Sequence, residues 1–378
     1  MSRRTEGRGR SALCAALALV VALGGSACVS LVSLDSLDSL TGRAEPALEW
    51  PPAIVDVRIV SSVDGSLQPA LFYRPPFDGP EEIGEPRPLL VALHAWSANY
   101  RGARLAGAGA AAIERGWVFV HPDFRGPNDR PEALGSAMAV QDVLDAVAWA
   151  RASAPVDASR IYLLGFSGGG HAALLAAARA PDLWAGVSVW VPISDLVAWH
   201  AFQSRFPGSH YRAMLESAIG DPSRDAAALA EAVERSPATH LEQARGLPLD
   251  IHVGVRDGHD GPVPISQSLR AFNVVARPDD RLSTGEIQGF TESGRVPASL
   301  QGEVGRADPG YGRRAILFRR RSGVARITVF DGGHEILLEP ALRWLSVQSR
   351  PRPEPQPEPR PDWGRVGAHE GTLPAAPP

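Results

Sequence analysis

Residues 160–171 are the feature that most constrains the fold of this chain. The segment is Arg-Ile-Tyr-Leu-Leu-Gly-Phe-Ser-Gly-Gly-Gly-His. Residues 161–164 form a short apolar run typical of a buried strand, the next five residues match G-x-S-x-G, and an Ala- and Leu-rich helical run follows. This order of strand, tight turn and helix is that of a nucleophile elbow, which exposes a serine hydroxyl. The alternative is a Gly-rich turn whose serine only caps the helix.

The glycines around Ser167 fit such a turn. Gly165 and Gly169 remove side chains that would collide where the strand and the helix approach each other. The amide of Gly168 lies at the predicted helix N-terminus, where it can face a developing oxyanion. We therefore predict Ser167 as a nucleophile and Gly168 as one oxyanion donor.

Composition excludes several other chemistries. All 38 basic residues among the 378 are arginine, so no P-loop lysine, kinase lysine, Schiff-base lysine or Ser-Lys dyad is possible. The net charge of -4 provides no basic field, and we predict no nucleic-acid partner. No H-E-x-x-H motif occurs, and His121-Pro122-Asp123 and His259-Asp260 are too sparse to specify a metal. We therefore predict neither a metal nor another cofactor.

The first 27 residues are predicted to be a signal peptide. Four arginines precede an apolar run over residues 11–23, and Gly-Gly-Ser-Ala then stands before Cys28. This resembles a bacterial lipoprotein signal, in which the cysteine is lipidated, although Gly25 stands where a larger aliphatic residue is usual. The prediction is an exported cell-envelope lipoprotein anchored through Cys28, with a secreted or periplasmic protein as the alternative.

The segments that flank the globular domain differ from it in composition. Residues 28–46 contain a short Ser-Leu-Asp repeat and are predicted to be a tether. Residues 350–378 begin with alternating prolines and are predicted to be a disordered tail. The folded domain is therefore expected over residues 47–349, a length acceptable for one α/β domain.

Within residues 47–349, strand and helix patterns alternate. This predicts a mostly parallel, doubly wound α/β sheet, led by an antiparallel hairpin around Asp64-Gly65. Helices are expected over 103–115, 137–152 and 335–346, and strands over 54–60, 70–73, 89–93, 117–120, 161–164, 186–190, 249–254 and 326–330. Residues 195–247 are predicted to roof the site as a lid insertion, and 278–324 to be a long polar insertion ending in a hairpin.

A serine nucleophile needs a base and an orienting acid. His334 follows the last predicted strand in Asp-Gly-Gly-His, which is where the base is expected. The acid is expected after the strand at 249–254. Asp257 comes first there, while Asp260 is the alternative acid and can instead cap the helix that begins near Pro264.

The loop after the strand at 89–93 is expected to complete the oxyanion hole. Its sequence is His-Ala-Trp-Ser-Ala-Asn-Tyr, and the second amide donor is predicted to be that of Ala95 or Trp96. His94 is interpreted as a structural hydrogen-bonding residue. In the roof segment, the aromatic residues predicted to contact substrate are Trp199, Phe202 and Tyr211.

An ordered set of motifs resembles the prolyl oligopeptidase (S9) family of serine peptidases, within the α/β-hydrolase superfamily. The matching residues are His94, Asp-Phe-Arg-Gly at 123–126, Gly-Phe-Ser-Gly-Gly at 165–169, Pro-Ile-Ser-Asp-Leu at 192–196, Ser-Pro-Ala-Thr-His at 236–240, His-Val-Gly-Val-Arg-Asp at 252–257 and Gly-His at 333–334. The resemblance implies an α/β-hydrolase fold, with Ser167 as nucleophile, Asp257 as acid and His334 as base.

Two departures limit what the resemblance implies. Many members carry a β-propeller before the catalytic domain, whereas only a short lead-in precedes it here. Three extra residues separate Asp257 from Val-Pro, which keeps Asp260 open as the acid. The predicted function is hydrolysis of peptide bonds through an acyl-enzyme, with a carboxylesterase acting on small or carbohydrate acyl esters as the alternative. An inactive envelope binding protein is the third hypothesis, from a different class.

Overall fold

The computed structural model describes residues 48–76, 85–302 and 308–351. The predicted signal peptide, Cys28, the tether at 28–46 and nearly all of the tail at 350–378 lie outside these residues. In the described part of the chain, no helix combines the length and the apolar character needed to span a bilayer.

A single mixed sheet organises the described residues from Leu48 onward. Its strands are β1 (Val55–Val60), β2 (Leu67–Tyr73), β3 (Arg87–Leu93), β4 (Val118–Pro122), β5 (Val156–Phe166), β6 (Gly186–Trp190), β7 (Leu249–Gly254), β8 (Ile316–Ser322) and β9 (Ala325–Phe330). The spatial order is β1-β2-β4-β3-β5-β6-β7-β9-β8. The strands from β4 to β9 in this order are parallel, whereas β1, β2 and β8 pair antiparallel. The predicted mostly parallel sheet with a leading hairpin is therefore confirmed.

Helices cover the sheet in the alternating manner that repeated β-α units require. They are α1 (Ala106–Glu114), α2 (Ala137–Ser153), α3 (Gly168–Arg179), α4 (Leu196–Gln203), α5 (His210–Ile219), α6 (Ala226–Glu234), α7 (Pro237–His240), α8 (Ile265–Val275), α9 (Thr284–Ser293) and α10 (Leu338–Ser346). Helices α1 and α10 contact each other, while α2 packs on α3 and α7 packs on both α3 and α8. Strands β4 and β6 are accordingly buried along their whole length, and β3 is buried from its second residue onward, as their apolar sequences predict.

Two apolar cores are present in the described residues. The large one surrounds the sheet. The smaller one lies within and beneath the 195–247 segment, and it includes Trp96 from the loop after β3 and Val263 from the loop after β7. The predicted lid insertion therefore consists of helices α4 to α7 that pack against two loops at the carboxyl ends of the strands.

The segment 278–324 contains a helix that the sequence analysis missed. Helix α9 begins at a capping box, in which the Ser283 side chain accepts from the Glu286 amide while Glu286 accepts from the Ser283 amide. It ends at Gly294, whose φ of 61° is left-handed. Both signals are legible in the sequence, since Ser-x-x-Glu and a C-terminal glycine mark helix ends. The hairpin predicted at the end of this segment is present as β8 and β9.

A buried ion pair joins β7 to β9 beneath the loops that follow these strands. Asp250 lies opposite Arg326 in the parallel register, and Arg326 Nε and Nη2 donate to its two carboxylate oxygens at 2.7 and 2.5 Å. The Asp250 side chain is 0% exposed. Burial alone would raise the pKa of Asp250, but His252 and Arg326 hold it below its usual range. The Asp250 carboxylate is therefore charged, and His252 and Arg326 stabilise this charge.

Replacing Arg326 by methionine is expected to lower the free energy of unfolding by about 3 kcal/mol, because it leaves a buried charge without its partner. Denaturant titration of the purified protein measures this change. The double variant Asp250→Asn/Arg326→Met should lose clearly less than the sum of the two single variants. A loss below about 0.5 kcal/mol for Arg326→Met, or strict additivity, would contradict the assignment.

Candidate active site

Ser167 lies at a strained turn between β5 and α3. Its φ of 56° and ψ of -118° belong to a region that non-glycine residues rarely adopt. The Ser167 amide donates to Trp190 O on β6 at 2.9 Å, which fixes the turn against the next strand. A Cβ at Gly165 would collide with Gly169 O, and a Cβ at Gly169 would collide with Leu93 O. Close backbone contacts therefore explain why glycine is needed at both positions, as the sequence predicts.

Three side chains meet at the carboxyl edge of the sheet. His334 Nε2 lies 2.9 Å from Ser167 Oγ, and His334 Nδ1 lies 2.8 Å from Asp257 Oδ2. Ser167 follows β5, Asp257 follows β7 and His334 follows β9. The structure thus brings together the three residues that the sequence analysis selected.

Asp257, the acid in this arrangement, is fully buried. The Asp257 side chain is 0% exposed, and its Oδ1 accepts from the Val263 amide at 3.3 Å. Burial raises the pKa of Asp257, while the neighbouring imidazole of His334 opposes the rise. A Cβ at Gly261 would lie 2.8 Å from His334 Cβ. The Asp257 loop therefore closes tightly around the imidazole and restricts its orientation.

Asp260, the alternative acid, contacts a different partner. Its Oδ2 accepts from Arg256 Nε at 3.2 Å, and its side chain is 51% exposed. It forms no hydrogen bond with His334 in the described structure. It does not cap α8 either, because Pro264 occupies that N-cap position without a side-chain hydrogen bond. In the structure Asp260 is therefore neither the partner of His334 nor the N-cap of α8. It forms an ion pair with Arg256 instead.

The backbone of Gly168, the residue after Ser167, lies against the loop that follows β3. A Cβ at Gly168 would lie 2.5 Å from Trp96 N, so the Trp96 and Gly168 backbones are in direct contact. Within the described ranges, neither amide donates a hydrogen bond to the protein. Ala95 is less well placed, since the contact is with Trp96. Of the two predicted second donors, Trp96 is the one that lies against Gly168.

The loop that carries Trp96 is held by groups from the loop after β4. The Tyr100 amide donates to Asp123 Oδ1 at 3.0 Å, and the Asn128 amide donates to Trp96 O at 3.0 Å. His94 is buried, stacks on Phe124 at 4.0 Å between ring centroids, and has Nε2 2.8 Å from Asp123 O. The interpretation of His94 as a structural residue fits these contacts.

The three aromatic residues predicted to contact substrate differ in exposure. Trp199 is 1% exposed, packs on Trp96 at 4.5 Å between ring centroids, and donates its indole N–H to Pro262 O. Phe202 and Tyr211 are partly buried and pack against the same small core. Trp199 therefore connects the loop that carries Trp96 with the loop that carries Pro262. It offers almost no surface to a substrate, which corrects the prediction that Trp199 contacts substrate.

Phe166 was part of the serine motif but received no role from the sequence. Its ring centroid lies 5.2 Å from that of His334, and it is 4% exposed. The ring therefore packs against the imidazole. Its position directly before Ser167 is the sequence signal that could have indicated this contact.

One cluster in the described residues has the composition of a cation site. His200 Nε2 lies 2.9 Å from Glu216 Oε1 and 3.7 Å from Asp221 Oδ1. Arg212 and Arg224 pair with the same two carboxylates. The cluster already contains its own counter-charges, and it lies on the lid helices, away from Ser167.

The family comparison matches the central part of this domain. Residues 107–284 match the model of the prolyl oligopeptidase family. The matched range includes Ser167, Gly168 and Asp257 and ends before His334. No protein among curated sequences matches the chain.

Several solved structures share the fold. Oligopeptidase B from Leishmania major is 11% identical, with a TM-score of 0.50 over 78% of this chain and 35% of its own. An acylaminoacyl peptidase from Pyrococcus horikoshii is 21% identical, with a TM-score of 0.46 over 59% of this chain and 34% of its own. A puromycin-hydrolyzing peptidase from Mycobacterium tuberculosis is 21% identical, with a TM-score of 0.47 over 59% of this chain and 33% of its own.

The chain spans about a third of the length of these structures. Residues 107–284 are therefore similar to the prolyl oligopeptidase family, and the chain has an α/β-hydrolase fold.

Proposed function

We propose that this protein is a serine hydrolase that cleaves peptide bonds through an acyl-enzyme. The observation that carries the proposal is the hydrogen-bonded chain from Ser167 Oγ through His334 to Asp257. A serine hydroxyl is a weak nucleophile at neutral pH, and it becomes effective when an oriented base removes its proton during attack. The chain supplies that base and the acid that orients it.

The proposed proton path follows the hydrogen bonds. His334 Nδ1–H donates to Asp257, which leaves Nε2 free to accept from Ser167 Oγ–H. As Ser167 attacks the carbonyl carbon, the proton moves to Nε2 and the buried carboxylate stabilises the resulting imidazolium. Nε2–H then protonates the leaving group, and water repeats the sequence to release the acyl group.

The amides of Gly168 and Trp96 are the proposed oxyanion donors. The Trp96 backbone lies against Gly168, which directly follows Ser167, and neither amide donates a hydrogen bond to any described residue. Preorganised donors of this kind stabilise the charge that develops in the transition state, and each contributes a factor of about 10²–10³ in kcat. The Gly168 amide is also the first of the α3 helix, so the helix dipole favours the same charge.

The family match favours a peptide over an ester as substrate. The same serine machinery can hydrolyse carboxyl esters, because the fold does not determine the scissile bond. An inactive binding protein has no need for an intact hydrogen-bonded triad, and the two unsatisfied amides also support catalysis.

We propose in addition that the protein is exported and anchored to the cell envelope through a lipid on Cys28. The support is the sequence alone: four arginines, an apolar run and small residues directly before the cysteine. This proposal is independent of the hydrolase assignment.

Replacing Ser167 by alanine is expected to lower kcat at least about 10⁴-fold, because it removes the nucleophile. A panel of p-nitrophenyl esters and aminoacyl p-nitroanilides measures this loss and separates esterase from peptidase activity. Anilide cleavage that depends on Ser167 supports a peptidase, and ester cleavage alone supports the esterase. Turnover that survives in Ser167→Ala would contradict the nucleophile assignment.

Asp257→Asn and Asp260→Asn are a matched pair, since each removes one negative charge from the same loop. Asp257→Asn should lower kcat by about 10⁴-fold, because the amide favours the wrong imidazole tautomer. Asp260→Asn should change kcat by less than about threefold, because it loses only a half-exposed ion pair. Steady-state kinetics decide, and a larger loss in Asp260→Asn would reverse the assignment.

Cys28→Ser is expected to move the protein from the membrane fraction to the soluble fraction of cells, since it removes the site of lipidation. Fractionation and metabolic labelling with an alkyne fatty acid test this. Cys14→Ser is the control and should leave the distribution unchanged. Equal distribution of Cys28→Ser and wild type would exclude the anchor.

A further inference from the structure

Arg104 is an exposed cation with no counter-charge, and it lies over Phe166, the residue directly before Ser167. It forms no hydrogen bond and no ion pair with any of the residues that the structure describes. Other arginines differ: Arg101 pairs with Asp56, Arg125 with Asp64 and Asp142, and Arg256 with Asp260 and Asp331. The charge of Arg104 is therefore available to a ligand.

Phe166 contacts both this cation and the imidazole. The Arg104 guanidinium carbon lies 5.8 Å from the Phe166 ring centroid, and the His334 ring centroid lies 5.2 Å from the same point. The guanidinium and the imidazole therefore cannot be farther apart than the sum of these distances. Ser167 directly follows Phe166 in the chain, so Arg104 and His334 both pack on the residue next to the proposed nucleophile.

The backbone that carries Arg104 is fixed on both sides. Upstream, the Gly102 amide donates to Asn99 O at 2.9 Å, and the Tyr100 amide donates to Asp123 Oδ1. Arg104 itself lies in a short 3₁₀ turn, Ala103–Leu105, whose last residue is 1% exposed and anchors the turn in the core. Little backbone entropy remains to be lost when a ligand binds, which favours recognition.

The chemistry of acyl transfer indicates which part of a substrate lies here. His334 Nε2 must hand its proton to the leaving group, so the leaving group lies on the imidazole side of Ser167. Arg104 contacts the same Phe166 ring as that imidazole. A guanidinium recognises a carboxylate through two parallel N–H···O bonds, and it remains charged at all relevant pH values.

We propose that Arg104 binds a carboxylate on the leaving group of the substrate. The substrate class is a short peptide that is cut close to its free C-terminus, so that the departing piece carries the terminal carboxylate. This inference rests on the proposed function, because it specifies the substrate of the same site. Arg104 acts on specificity and takes no part in proton transfer.

Matched aryl acetates test this without knowledge of the peptide sequence. In 4-acetoxybenzoate the leaving group carries a carboxylate, while in 4-acetoxybenzamide it is neutral and of similar size. The quantity measured is the ratio of kcat/KM for the benzoate to that for the benzamide, compared between wild type and variants. Intrinsic reactivity of the two esters cancels in this comparison.

Arg104→Gln should lower this ratio by roughly threefold to tenfold, through loss of a partly solvated carboxylate contact. Arg104→Lys should retain part of the wild-type preference for the benzoate. In wild type, 0.5 M NaCl should reduce the ratio, because salt screens the attraction between the guanidinium and the carboxylate. Arg151→Gln is the matched control. Arg151 is an exposed arginine that forms no ion pair with the residues that the structure describes. It lies in the last turn of α2, which leads into the amino end of β5, so it is at the opposite edge of the sheet from Ser167. Its ratio should equal that of wild type.

The outcomes separate the two levels of the proposal. If both esters are hydrolysed in a Ser167-dependent way but Arg104→Gln leaves the ratio unchanged, the Arg104 inference is wrong and the hydrolase assignment stands. A similar drop in Arg151→Gln would also overturn the inference, since it would indicate a general field effect. If neither ester is hydrolysed and a fluorophosphonate does not react with wild type, both proposals fail.

Discussion

The candidate site depends on a tight backbone turn at Ser167, where the neighbouring glycines have no space for a side chain. Ser167 has φ of 56°, and the strands and helix that meet there approach so closely that Gly165, Gly168 and Gly169 have no room for a Cβ. Such a conformation costs of order 1–3 kcal/mol, and it persists only where surrounding contacts enforce it. Those contacts come from β3 and β6, the two strands that flank β5. The serine is therefore held in place by the sheet itself.

The lid helices extend this rigidity to the loops on either side of the serine. Trp96 from the β3 loop and Val263 from the Asp257 loop belong to one small core with Trp199 of α4. The proposed oxyanion amide and the proposed acid are consequently connected through apolar packing on the lid. A change in lid packing should thus affect both loops, while the Asp250–Arg326 pair fixes the strands beneath them. Val191 at the end of β6, with φ of 47°, shows that backbone strain at this edge is not confined to Ser167.

Much of the fold and the site was predictable because it depends on local patterns. Continuous apolar runs identified the buried strands, and the chain order of Ser167, Asp257 and His334 selected a triad that the structure brings together. Contacts that depend on the conformation of the loops and the lid were not predictable. The partner of Asp260 is Arg256, four residues earlier in the same loop, and the burial of Trp199 depends on a lid fold that no periodicity specifies. Helix α9 was missed although its capping box was legible, because the surrounding segment is polar and Gly-rich.

The central claim is that the strained turn makes Ser167 a nucleophile activated by His334. The most direct measurement is mass spectrometry of the protein after reaction with a fluorophosphonate, followed by peptide mapping of the adduct. The account predicts one adduct per chain, located on Ser167, and a rate that falls sharply in His334→Gln, where the base is missing. An adduct on another residue, or labelling of Ser167 at the same rate in His334→Gln and wild type, would contradict it.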